Sequence, residues 1–455
     1  MKKVFGVFPL VLIFSGSVAA SETLTLKSSI EHVLDTNPVL SERIDNFNQT
    51  YADLRIARAG YLPNVDLAGD FGVMRDKSYT TGFDVDSYGF YNASLTLTQN
   101  IFNGYSTTHR VSTQEARLMA AAYSFVEKAD EMAYKTVESY IDVVKNRELL
   151  RIAKKNIRIN QEIYDKVKKL YNAGLTTLSE VNKINSSLAL AKSNYIVQQN
   201  SLSNALYNFQ RYYGKAVVPK QFEKPSFGYQ LPSSRQDALA YAMEHNPSIL
   251  VTLYDIEASK KDWREKKSPF YPKLDLELRG SAGDNFSGTL EGNHNRISAL
   301  LRMNWNLYRG GADEMRRKKG LEAISQQQHI KEDLKREVSQ SFNLAWAAYR
   351  YLQDQLKHLK EYRKYSKKTL NLYIKEYDMG RRTLLDLLGA QNDLISAEKQ
   401  IVRSEYDLLF AKYRILDAMG EMVVTLMDDA QRWYSKVGIG KEKGKSTDIL
   451  PVHSK

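Results

Sequence analysis

The sequence predicts a mainly α-helical chain with a β-barrel portion. One architectural unit is copied twice, and each copy holds two barrel strands and long antiparallel coiled-coil helices. Three observations carry this. Ordered landmarks recur at a fixed spacing, long proline-free tracts keep apolar heptads, and short runs of strict apolar–polar alternation sit at matched places between them.

The landmarks come first. Asn37-Pro38 matches Asn246-Pro247, and Pro63 matches Pro272, both at an offset of 209. Ile101-Phe-Asn-Gly104 matches Leu307-Tyr-Arg-Gly310, Tyr171-Asn-Ala-Gly174 matches Tyr377-Asp-Met-Gly380, and Tyr213-Gly214 matches Met419-Gly420, all at 206. One three-residue deletion between Pro272 and Leu307 reconciles the offsets. The period is too long for a solenoid, so the chain is a tandem duplication.

Composition excludes several functions. The 455 residues contain no cysteine, which rules out disulfides, thiolate metal sites, cysteine nucleophiles and a cysteine-linked lipid anchor. The formal charge is +12, but Lys2 and Lys3 and the lysine-rich segment 436–455 supply much of it, so no nucleic-acid partner is expected. Seven histidines show no ligand spacing, and no HExxH, P-loop or nucleophile elbow occurs. The sequence predicts no enzyme, metal or cofactor.

Residues 1–20 read as a secretory signal: Lys2 and Lys3, an apolar run Val4–Phe14, and small residues before a cleavage point at Ala20. The run is shorter than the roughly 20 residues a spanning helix needs. The first repeat is then expected over 21–213. It opens with a helix after Asn37, which can cap, and Pro38, which fits the first helical position. A β-hairpin follows over 64–102, where Val65, Leu67, Phe71 and Val73 alternate with polar or small residues, as do Ala93, Leu95, Leu97 and Ile101. A long helix spans 106–170, and a return helix 178–213.

A linker or equatorial segment occupies 214–234. The second repeat, 235–425, restates the plan with a hairpin over 273–308, a long helix over 312–376 and a return helix over 384–418. The second strand of its hairpin continues its alternation through Met303, Trp305 and Leu307. Trp305 and Tyr308 suit an aromatic girdle at a membrane surface. In the return helix Leu387, Leu394, Ile401, Leu408 and Ile415 form one heptad row, and Ala390, Ala397, Ser404, Ala411 and Ala418 a row of small residues. Residues 426–455 read as a basic, disordered tail.

No stretch after the leader is apolar enough for a spanning helix, so any crossing must use strands. Four strands leave two open edges, which lipid does not tolerate, and a closed membrane barrel needs at least eight. Three copies would close a twelve-stranded barrel, making a homotrimer the economical assembly. The competing reading is an exported coiled-coil structural or adhesive protein without a channel; it explains the heptads but not the matched amphipathic hairpins.

The ordered duplication, the paired Asn-Pro and Pro landmarks, the two strand-ending motifs and the two glycine turns resemble the TolC family of outer membrane channels over roughly residues 22–425. The resemblance implies a passive trimeric duct of a Gram-negative bacterium, with a β-barrel in outer membrane lipid and an α-barrel in the periplasm. Its partners would be a periplasmic adaptor (membrane fusion) protein and an inner-membrane ABC or proton-driven transporter, in type I secretion or tripartite efflux. Motif matching maps the family's closing contacts to Glu180, Tyr377 and Arg382, and a constricting acid ring to Asp386. Gly389 stands where a second acid ring would be. Adaptor docking maps to Gly174, Leu175 and Gly380. Thr177-x-x-Glu180 and Thr383-x-x-Asp386 also fit helix capping boxes, and the glycines fit helix ends.

Overall fold

The computed structural model describes residues 23–76, 86–284 and 293–439. In chain order the elements are α1 (Leu26–Thr36), α2 (Pro38–Ala59), β1 (Asn64–Asp76), β2 (Asp86–Asn103), α3 (Ser106–Asn172), α4 (Leu178–Tyr213), α5 (Arg235–His245), α6 (Pro247–Glu265), β3 (Lys273–Asp284), β4 (Asn293–Asn304), α7 (Ala312–Asp378), α8 (Leu384–Met419), α9 (Met422–Leu426) and α10 (Gln431–Tyr434). The duplication is visible in the lengths. Helices α3 and α7 each hold 67 residues, and α4 and α8 each hold 36. The caps repeat too: Asn37 Oδ1 accepts from the Val39 N–H at 2.9 Å, and Asn246 Oδ1 from the Ser248 N–H at 3.0 Å.

The chain forms two compact units. One, the turn unit, holds residues 135–227 and 355–409 with the described residues up to 33; the other, the sheet unit, holds 34–134, 228–354 and the described residues from 410.

In the sheet unit the four strands pair antiparallel in the order β1-β2-β3-β4. Register decides what each face presents, because directly paired residues point the same way. Leu67 pairs with Leu95, Leu95 with Gly280 and Gly280 with Ile297; Val65 pairs with Leu97, Leu97 with Leu278 and Leu278 with Ala299. The alternation in all four strands therefore lands on one apolar face, and that face is bare: Leu67 is 79% exposed, Phe71 89% and Ile297 93%. The opposite face is polar and internally bonded. Arg302 pairs with Glu277 at 3.0 Å, and Asn100 donates to Asp275 at 2.8 Å. The outer edges of β1 and β4 have no partner strand within the sheet. Among the described residues no helix is long and apolar enough to cross a membrane.

Two expectations need correction. Strand β4 stops at Asn304, so Trp305 and Leu307 lie beyond the sheet rather than continuing its alternation. Asn304 pairs with Lys273, and the residue before Lys273 is Pro272, which has no N–H to carry the ladder further.

The second concerns the expected tail 426–455, which is folded as far as Ile439. Trp433, Tyr434, Val437 and Ile439 are buried in the sheet unit. The Trp433 indole N–H donates to Asp35 at 2.9 Å, and Arg432 pairs with the same carboxylate at 2.6 Å. Apolar residues spaced through 422–439 outweigh the local charge. Residues 440–455 of that tail, the signal segment 1–20 and both hairpin tips fall outside the described residues.

In the turn unit the linker is pinned rather than free. The Tyr140 hydroxyl donates to the carbonyls of Leu24 and Glu223 at 2.6 and 2.8 Å, while Arg147 donates to those of Pro219 and Phe222. Phe222 packs edge-on against Phe209. These bonds satisfy carbonyls that an irregular strap would otherwise leave open.

Candidate functional site: the paired glycine turns

The two helical hairpins of the turn unit, α3–α4 and α7–α8, reverse at equivalent glycines. Gly174 and Gly380 have φ of +72° and +73°, the left-handed region open to glycine at little cost. In each turn the residue after the glycine closes a six-to-one bond back into the helix: the Leu175 N–H to the Leu170 carbonyl at 2.9 Å, and the Arg381 N–H to the Glu376 carbonyl at 2.8 Å. That is the Schellman stop. Apart from the adjoining residues, nothing lies within 4 Å of where a Cβ would stand on either glycine, so both turns present bare backbone, and Leu175 beside the first is 73% exposed.

Behind the turns a hydrophobic cluster ties all four helices together. Val167 of α3, Ile184 of α4, Leu370 of α7 and Leu384, Leu387 and Leu388 of α8 are buried against one another. Polar groups over this cluster stand on a close-packed apolar base.

The two candidate acids, equivalent by duplication, do different things. At the second turn the capping box forms: the Asp386 N–H donates to Thr383 Oγ1 at 3.2 Å, and the Thr383 hydroxyl and N–H donate to Asp386 Oδ2 at 2.8 and 3.4 Å. At the first turn Thr177 makes no side-chain cap bond. Glu180 instead accepts from the Thr176 hydroxyl, and its carboxylate lies close enough to the Tyr377 phenol of the other hairpin to act on its ionisation. Partial burial, and then the neighbouring carboxylates of Glu180 and Asp378, push the Tyr377 phenol up to about 12, so it stays a donor across the physiological range.

The structure thus brings Tyr377 and Glu180 together and leaves Arg382 apart from them. Arg382 Nε donates to Glu376 at 2.7 Å, and its guanidinium lies 4.3 Å from the Tyr373 ring centre. Two participants were not singled out in the sequence. Lys166 of α3 pairs with Asp378 of α7, and its ammonium stands 5.8 Å from the Tyr377 ring centre. The readable signal was Asp378 itself, next to the singled-out tyrosine, but its partner lies 212 residues away.

The arrangement is a set of polar contacts between two hairpins, over a buried apolar cluster, next to exposed turns. Among the described residues no group of histidines and carboxylates could hold a metal ion.

The profile of the family described as "Outer membrane efflux protein" matches residues 29–215 and 238–421, one match for each repeat. The outer membrane efflux protein BepC of Brucella suis is 24% identical over 410 residues, covering 90% of this chain and 88% of BepC. The outer membrane protein TolC of Escherichia coli is 21% identical over 420 residues, covering 87% and 81%. Among solved structures, the CmeC outer membrane channel of Campylobacter jejuni superposes with a TM-score of 0.77 at 15% identity, over 90% of this chain and 89% of that one.

Proposed function

The chain belongs to the outer membrane efflux protein family and resides in the outer membrane, and from that premise we propose that it is the passive exit duct of a multi-protein export system. It carries out no reaction; it supplies a water-filled path that partners fill and open. The observation that carries this reading is the four-stranded sheet with one bare apolar face and two open edges. Such a sheet satisfies its backbone in lipid only when other copies complete it. Three copies close a barrel of twelve strands, and we take the assembly to be a homotrimer.

Residues 1–20 act as the export signal on this reading, and the repeats 21–213 and 235–425 each supply one hairpin of the barrel and one pair of long helices. The turn unit is the gated end. Tyr377 and Glu180 hold the hairpins of one protomer together, Asp386 lines the constriction, and Arg382 is free to exchange Glu376 for an acid on a neighbouring protomer when the end closes. Gly174, Leu175 and Gly380 form the seat for a periplasmic adaptor, which in turn binds an inner-membrane transporter. Small-molecule efflux is the favoured cargo class, because BepC is described as an efflux protein and a further relative, OpmQ of Pseudomonas aeruginosa, as a pyoverdine exporter. Type I secretion of protein would use the same duct.

The test is direct. The mature protein, purified in detergent, should migrate as a heat-sensitive trimer and form discrete channels in planar bilayers. A monomer that stays in solution without detergent would refute the reading.

A further inference from the structure

The two repeats differ where the sheet meets the helices. In the second repeat the end of α6 and the start of α7 are strongly basic: Arg264, Lys266 and Lys267 on one side, Arg316, Arg317, Lys318 and Lys319 on the other. At the equivalent places of the first repeat stand Arg55, Ala57 and Arg58, then Arg110, Val111, Ser112 and Thr113. Duplication alone does not create this difference.

Packing joins the two basic stretches. Trp263 of α6 lies against Gly320 of α7, where an added Cβ would stand 3.0 Å from the indole Cδ1, so any side chain there would crowd the ring. The Lys267 ammonium sits 3.9 Å above the same indole. Several cations are already neutralised, Lys266 by Asp262, Arg316 by Asp313 and Arg317 by Glu314. Arg264, Lys318 and Lys319 are exposed and have no carboxylate within ion-pair distance among the described residues. His109, facing this cluster from α3, is held below the usual imidazole range by burial and then by Arg264, with Lys261 and Lys267 adding to the effect and Glu265 opposing it.

The surroundings specify what the free cations meet. On this edge of the sheet β2 ends at Asn103, β3 begins at Lys273 and β4 ends at Asn304, so the bare apolar face stops here. Every residue from Leu301 to Gly311 is exposed, including Trp305 and Tyr308, and Phe270 and Tyr271 are exposed at the start of β3. Apolar surface, then aromatic rings, then unpaired cations is the order met on leaving a bilayer through its headgroups.

We propose that the α6–α7 junction of the second repeat binds the headgroups of anionic phospholipid, with the neighbouring aromatic rings seated in the same leaflet. The inference rests on the sheet being membrane-embedded, as proposed above. Arg264, Lys267, Lys318 and Lys319 supply the charge; in the first repeat Ser112 and Thr113 replace the last two, and Arg58, the counterpart of Lys267, is paired with Glu115, so each protomer has one such site.

The test reconstitutes the full-length protein into vesicles containing brominated phosphatidylglycerol or brominated phosphatidylcholine, and reads quenching of tryptophan fluorescence. At low salt the anionic lipid should bind about fivefold or more tightly than the zwitterionic one, since each cation near an anionic surface contributes about that factor. The ratio should fall toward one in 0.5 M salt (about a 4 Å screening length). The fourfold variant Arg264→Gln, Lys267→Gln, Lys318→Gln and Lys319→Gln should give a ratio near one. The charge-conserving variant Arg264→Lys, Lys267→Arg, Lys318→Arg and Lys319→Arg should keep the wild-type ratio, which separates lost charge from lost folding. Equal quenching by both lipids in the wild type, or an unchanged ratio in the glutamine variant, overturns the proposal. No quenching by either lipid would instead refute membrane insertion itself, and this site with it.

Discussion

The Glu180 carboxylate of α4 lies beside the Tyr377 phenol of α7 and acts on its ionisation, so a polar contact links a helix of the second repeat to a helix of the first. Its acid is the residue that duplication would have made a helix cap. The copy in the second repeat, Asp386, kept that role. Of two equivalent carboxylates, one faces the other hairpin and one caps its own helix.

Removing the link should loosen the closed end. Tyr377→Phe keeps the ring over the apolar cluster and deletes only the donor, at a cost of about 1 kcal/mol, or a roughly fivefold shift from closed toward open. Single-channel recording in planar bilayers should show longer and more frequent openings, and Glu180→Gln should act in the same direction. Indistinguishable opening in both variants would remove this contact from the gate.

Asp386 allows charge and capping to be separated. Asp386→Asn retains a cap acceptor and loses the charge, while Asp386→Ala loses both and should cost about 1 kcal/mol of helix stability. If three such acids ring an axis, both variants should lower cation preference to the same extent in reversal-potential measurements. If only Asp386→Ala has an effect, and only on thermal stability, the residue is a cap alone.

Proton uptake offers an independent check on Tyr377. Its pKa is raised above that of the unfolded chain, so its contribution to stability is complete below about pH 10 and is lost as pH climbs toward about 12. In a spectrophotometric phenol titration of the folded protein, Tyr377→Phe should remove one late-ionising tyrosine and leave the early ones unchanged. Loss of an early one instead would show that the phenol is not held by its acid neighbours.

The folded C-terminal segment should be a substantial stabiliser. Trp433 is 2% exposed, and Trp433→Ala should cost about 3–5 kcal/mol, read as a clear fall in the thermal midpoint. Asp35→Ala, which strands the buried indole N–H, should cost about 1–3 kcal/mol. Thermal midpoints equal to wild type would mean that the segment packs without contributing to stability.

Much of this architecture was legible in the sequence because it rests on periodicity. Leu67, Leu95 and Ile297 alternate with polar neighbours, and Leu387 recurs as Leu394 and Ile401; both patterns are local and survive into the fold. Strand β4 ended early because its partner is preceded by Pro272, and pairing is a property of two segments that one segment does not display. The segment around Trp433 adjoins the lysine-rich stretch 436–455, whose composition masks it, whereas a few buried apolar side chains decide its fold. At the turns, glycine announced the stop of each helix, but Thr177 and Thr383 look alike in sequence. Only the nearness of Tyr377 to Glu180 tells their partner acids apart, and the pairing of Lys166 with Asp378 is likewise invisible until the hairpins are side by side.

The unequal turns bear on how a threefold ring would be read from outside. Its contour would be sixfold, with six near-identical loops projecting, yet its chemistry would repeat only every second loop, Leu175 alternating with Arg381. A partner that grips six loops must tolerate an aliphatic neighbour at one and a guanidinium at the next, or else count the ring by threes.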